Sequence, residues 1–173
     1  MGKTQASIEQ YCRQEAETAS LAQKLAASLS QYLSNPKTHL NIALEGDLGA
    51  GKTTFARYLI QGMGHAGKVK SPTYTLCESY PLQIKEQEIT VYHFDLYRMK
   101  DSLEWQEAGF GEYFDVPGFC LIEWPEKAEG TLPLFDMVIK LTAGSEENER
   151  NILIEAKTAN GMNILQDLNS SAK

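Results

Sequence analysis

Apolar side chains recur at helical spacing from Thr18 onward, at Leu21, Leu25, Leu29 and Tyr32/Leu33, with small alanines between them, until Asn35-Pro36 ends the pattern. The spacing predicts one amphipathic helix. Residues 39–44 (HLNIAL) form a short apolar run ahead of a glycine-rich turn, and 52–63 reads as a second helix closed by Gly62 and Gly64. Further strands are predicted over 73–80, 89–95, 119–124, 135–141 and 151–157, the last two joined by AGSEENER as a surface hairpin. Between them, LEWQEAGFGEYF fits a short helix broken at Gly109 and Gly111. The polar stretch from Thr158 to the closing NSSAK is expected to fray.

Composition narrows the picture. A chain of 173 residues, 42% hydrophobic and 23% charged, is sized for one domain with a full core, and no repeat or low-complexity linker argues for splitting it. The formal charge of −7, with no lysine or arginine block, leaves no phosphate-neutralising face for independent nucleic-acid binding; any service to RNA is expected to run through a partner. Cys12, Cys77 and Cys120 show neither a disulfide framework nor a zinc spacing, which fits a reducing cytosol. With no signal-like apolar stretch at MGKTQASIEQ and no run near the roughly 20 residues that span a bilayer, a cytoplasmic protein without a membrane is expected.

The chemistry is concentrated at Gly46-x-x-x-x-Gly51-Lys52-Thr53, which matches GxxxxGK[ST] between a predicted strand and a predicted helix. Asp47, Leu48, Gly49, Ala50 and Gly51 then form a loop whose backbone N–H groups turn toward one anion. Lys52 reaches the β/γ oxygens, the Thr53 hydroxyl ligates Mg²⁺, and Thr54 follows in the first helical turn. No Asn/Thr-Lys-x-Asp element that reads guanine occurs, so ATP is the expected nucleotide.

Two predicted strands end in acids. Phe119-Cys120-Leu121-Ile122-Glu123 has the form of a buried parallel strand, and Glu123 is the candidate Mg²⁺-side acid, acting directly or through the water shell. Alternation along Val91-Tyr92-His93-Phe94-Asp95 puts Val91, His93 and Asp95 on one face; Asp95 is the candidate for orienting the attacking water, with turn capping as the competing role, and His93 reads as a packed strand residue. Trp124 either lies against the nucleotide or belongs to the core. Ser71 and Thr73, flanking Pro72, read equally as a switch closing on the γ-phosphate or as a strand-opening turn.

Together GDLGAGKTTF at Gly46, SPTYTL at Ser71, HFDLYRM at His93 and LIEWPE at Leu121 closely resemble the TsaE (formerly YjeE) family, over roughly residues 15 to 157. The combination is far more specific than the phosphate loop alone. The resemblance implies an ATPase, weak by itself, that acts on the TsaB–TsaD heterodimer, in which TsaD transfers the threonylcarbamoyl group to adenosine in ANN-reading tRNAs. ATP binding and hydrolysis would reset that complex between turnovers. The same resemblance implies Lys52 and Thr53 at phosphate and Mg²⁺, Glu123 completing the metal site, Asp95 supporting hydrolysis, Trp124 beside the nucleotide and Thr18 on the base side. Met99 after Tyr97-Arg98 and Tyr74 after Ser71-Pro72-Thr73 are conservative departures.

Two rivals belong to other classes. A small-molecule kinase usually carries an arginine-rich lid and an acceptor-binding insert, and four scattered arginines with no insertion argue against both. A nucleotide-gated docking module would use the same residues as a hydrolase. The expected fold is α/β, a three-layer P-loop NTPase domain with a mixed, mainly parallel sheet and an antiparallel edge hairpin over 135–157.

Overall fold

The computed structural model describes residues 7–35, 37–72 and 75–171. Its strands are β1 (Ser7–Cys12), β2 (His39–Glu45), β3 (Cys77–Ile84), β4 (Gln87–Asp95), β5 (Gly118–Glu123), β6 (Met137–Ala143) and β7 (Arg150–Ala156). Its α-helices are α1 (Glu15–Leu33), α2 (Lys52–Gly62), α3 (Glu104–Glu107) and α4 (Ala159–Ser171), with short 3-10 turns at Gly111–Phe114 and Pro125–Ala128. None of the described helices is long and apolar enough to cross a membrane.

One seven-stranded sheet runs in the order β1-β7-β6-β2-β5-β4-β3. The four central strands β6, β2, β5 and β4 are parallel, and only β7 and β3 run against the other five. A parallel centre must be covered on both faces, which is why β2 and β5 are continuous buried apolar runs and do not alternate. One face carries α1, α2 and α4 on Leu40, Ile42, Leu121, Ile139 and Ile154. On the other, Phe94, Cys120 and Ile122 pack under Trp105 of α3 and Phe114 and Ala128 of the 3-10 turns. Helical cover, sheet and opposite cover make the three expected layers.

Three expectations are corrected. The segment after Thr158 does not fray: Ile164, Leu165 and Leu168 share one face of α4 and are buried against the α1 side of the sheet. Thr158 anchors its start, its hydroxyl donating to Asp136 Oδ1 (2.7 Å) and accepting the Gly161 N–H (3.2 Å). The 135–157 hairpin does not form the sheet edge, because β1, which the apolar pattern did not reveal, pairs outside β7 from Ser7↔Glu155 to Cys12↔Arg150. The strand expected over 73–80 starts at Cys77 and continues through Pro81 to Ile84. A proline is tolerated there because β3 is an edge strand, where one missing N–H disrupts no inner ladder.

Candidate functional site

The phosphate loop leaves the C-terminal end of β2, the sheet's central strand, and enters α2 directly. Gly51 caps α2 with a left-handed φ of 98°, a conformation that costs a side-chain-bearing residue and lets the N–H groups of the first turn point into one concavity. Lys52 is buried: its Nζ donates to the carbonyls of Gly46 and Asp47 (the latter at 3.0 Å) and sits 4.1 Å from the Trp124 ring centroid. Burial pushes the Lys52 pKa down, and the carboxylates of Glu123, Glu126, Asp95 and Asp47 pull it back up. The ammonium is thus held by dipoles and an aromatic face, with no paired carboxylate among the described residues that an incoming phosphate would have to displace.

Glu123 and Asp95 are register partners at the ends of β5 and β4, so the two acids stand about one strand spacing, ~4.8 Å, apart. The Leu96 N–H donates to the Glu123 carbonyl (3.1 Å), which fastens the two strand ends together. Glu123 is 2% exposed and accepts from the Thr53 hydroxyl, which lies 3.2 Å from each carboxylate oxygen. Ser71 Oγ is 2.7 Å from Thr53 Oγ1. Two hydroxyls and a carboxylate therefore converge beside the α2 N-terminus. Such an all-oxygen set suits Mg²⁺, which takes one or two protein carboxylates and completes its shell with phosphate and water. No group of three or more His, Cys, Asp or Glu able to cage a metal occurs among the described residues.

Asp95 does cap its turn, Oδ1 accepting the Tyr97 N–H at 3.0 Å, and it also lines the cleft. Burial raises its pKa, the Tyr97 N–H pulls it down, and the Glu123 charge raises it further. Trp124 takes a left-handed conformation (φ 60°), a strain of about 1–3 kcal/mol that turns its ring out of the β5 direction into the cleft wall, 4.9 Å from Tyr97.

Leu48, Gly49, Gly51, Lys52, Thr53, Thr54, Ser71, Asp95, Glu123 and Trp124 thus line one cleft of about 340 Å³. Asp47 and Ala50 face the β6 side of the loop, and Thr18 lines a small neighbouring recess with Gly51 and Thr54. Thr73 lies outside the described residues. Beyond Asp95 a larger cavity of about 590 Å³ continues between Ser71, Pro72, Leu76, Tyr97 and Arg98.

Two contributors escaped the sequence reading. Arg150, at the start of β7, donates from Nε to the Ala50 carbonyl (2.7 Å) and lines the cleft; the β6–β7 hairpin alone brings it there. His93 is wholly buried, with Nε2 2.7 Å from Glu123 Oε2. Its place on the Asp95 face of β4 was the available signal.

A glycine loop on the central strand, facing acids at the ends of two neighbouring parallel strands, defines the class: a P-loop NTPase fold. YdiB of Bacillus subtilis shares that architecture in its crystal structure, with a TM-score of 0.72, 28% identity, and 96% of this chain and 97% of that one covered. Within the class the chain belongs to the TsaE family, whose description is threonylcarbamoyl adenosine biosynthesis protein TsaE and whose profile matches residues 12–152. The tRNA threonylcarbamoyladenosine biosynthesis protein TsaE of Haemophilus influenzae is 41% identical over 159 residues, 92% of this chain and 96% of the relative. The protein of the same name from Bacillus subtilis is 41% identical over 128 residues, 73% and 75% of the two chains.

Proposed function

We propose that the chain binds ATP with Mg²⁺ and hydrolyses it in the service of tRNA N6-threonylcarbamoyladenosine formation, driving or resetting a TsaB–TsaD complex. The observation that carries the nucleotide reading is the Thr53 hydroxyl, itself bonded to that of Ser71, on the buried Glu123 carboxylate beside the buried Lys52 amine. Lys52 turns from the loop carbonyls to the β/γ oxygens, and the loop N–H groups and the positive end of α2 hold the rest of the polyphosphate. Mg²⁺, when bound, neutralises charge on the β- and γ-oxygens. Glu123 and Thr53 hold its inner or water shell. Asp95 orients the attacking water and accepts its proton, while Trp124 and Tyr97 close one wall. Hydrolysis is in-line, with no covalent intermediate. Thr18 and its recess lie on the base side, and Ser71 with Thr73 senses the γ-phosphate. The names of the relatives support a role in the tRNA pathway, and the acidic composition supports tRNA contact through the partners.

The test is steady-state ATP hydrolysis by the chain alone and with reconstituted TsaB–TsaD, with Lys52→Ala as control. Stimulation by the complex, lost in Lys52→Ala, is expected; turnover indifferent to the complex removes the partner assignment. If the hydrolysis-deficient Asp95→Ala still binds ATP and supports many modification cycles, the chain is a nucleotide-gated docking module. One observation favours a kinase as a second reading: the cavity of about 590 Å³ beyond Asp95 lies where an acceptor would sit. A phosphorylated small molecule found by mass spectrometry would establish it.

A further inference from the structure

We propose that His93 is the positioning residue of the metal side of the site, clamping one oxygen of Glu123 so that the other stays available to the cation. The inference rests on the assignment of Glu123 as the metal-side acid. A carboxylate that is 2% exposed needs donors, and those found on Glu123 are the Thr53 hydroxyl and His93 Nε2. Thr53 has a single proton, and its hydroxyl is shared with any cation that it ligates. The His93 bond, 2.7 Å to Oε2, comes from a group that the cation does not touch.

An ionised carboxylate only accepts, so Nε2 carries the ring proton. Nδ1 is buried with no partner among the described residues, so the bond to Glu123 is the one that fixes the ring. His93 is 0% exposed and is not among the residues that line the cleft, so it is placed to act on the metal side through Glu123. It also links β4 to β5 on the side-chain level. The strand that carries Asp95 thereby fixes the orientation of the second acid, and the distance between water-orienting and metal-holding groups is set by two side chains as well as by the ladder.

The experiment compares wild type with His93→Leu, His93→Asn and His93→Gln, using Mn²⁺ as the probe for Mg²⁺ by electron paramagnetic resonance with a non-hydrolysable ATP analogue. Analogue binding in chelator and the ¹⁵N shifts of the His93 ring in the nucleotide-free chain are measured alongside. A proton on Nε2 is expected. The leucine and asparagine variants, which lack a donor at the Nε2 position, should bind Mn²⁺ about 10- to 100-fold more weakly. Analogue affinity without metal should stay unchanged. Glutamine, whose amide reaches the Nε2 position, should restore most of the Mn²⁺ affinity. An Nε2 without a proton, wild-type Mn²⁺ affinity in the asparagine variant, or a glutamine variant as weak as asparagine overturns the proposal. Should the leucine variant not fold, the asparagine–glutamine contrast carries the result. If wild type binds the analogue but takes up no Mn²⁺ with it, the metal role of Glu123 and that of His93 fall together. If the metal site behaves as described but ATP is not hydrolysed, the hydrolase reading alone fails.

Discussion

At Asp95 two demands meet on one carboxyl group. Its Oδ1 caps the turn through the Tyr97 N–H, and its place at the cleft wall requires a charge that burial opposes. The folded-state pKa is therefore raised above the unfolded value, so ionisation costs the fold stability: the cost is absent below the unfolded pKa, near ~3.9, and complete once pH exceeds the folded pKa. Asp95→Asn keeps an acceptor for Tyr97 and removes the charge. It should raise the melting temperature at neutral pH, with the gain vanishing as melts are taken down toward about pH 3.9. The same variant should hydrolyse ATP at least about 100-fold more slowly, as loss of a positioned proton acceptor requires. A variant that melts lower at neutral pH would show the charge to be stabilising and the burial argument wrong. Lys52, Thr53 and the two acids were legible in the sequence because glycine spacing and a strand-end carboxylate are local patterns. Arg150 was not, because nothing in its own neighbourhood marks a side chain that meets the Ala50 carbonyl across the fold.

Among the elements, α4 depends most on tertiary context. Its sequence is mostly polar, and only Ile164, Leu165 and Leu168 turn inward, onto a surface that α1 and β7 create. Propensity cannot supply that surface, which is why the segment reads as a fraying tail. Leu168→Ala should cost about 2–5 kcal/mol in urea unfolding, while the exposed Gln166→Ala should stay within about 0.5 kcal/mol. Gly161→Ala tests the docking independently: a Cβ there would lie 2.0 Å from the Asp136 carbonyl oxygen, so α4 must shift or detach. If all three variants melt like wild type, the helix contributes nothing to the fold. β1 was missed for a related reason. SIEQYC offers Ile8 and the buried Cys12 to the core, too few apolar positions for an alternation signal, and its pairing is decided by the free edge of β7. The central β2 and β5 were legible because burial on both faces writes an uninterrupted apolar run into the chain itself.

Over the whole molecule, a formal charge of −7 is a property that the folded arrangement does not convert into a basic surface by any block of lysine or arginine in the sequence. Binding of an unpartnered protein to tRNA would require several phosphates to be neutralised, with affinity falling steeply as salt rises. The chain alone should leave tRNA mobility unchanged at about 0.15 M ionic strength, whereas ATP binding, built on buried dipoles and one buried ammonium, should persist there. Added to a TsaB–TsaD–tRNA mixture, the chain should not steepen the dependence of log affinity for tRNA on log salt, because it contributes no new phosphate contacts. A slope steeper by about one unit for each added contact would place its lysines on the RNA, and the partner-mediated account of its role would then be wrong.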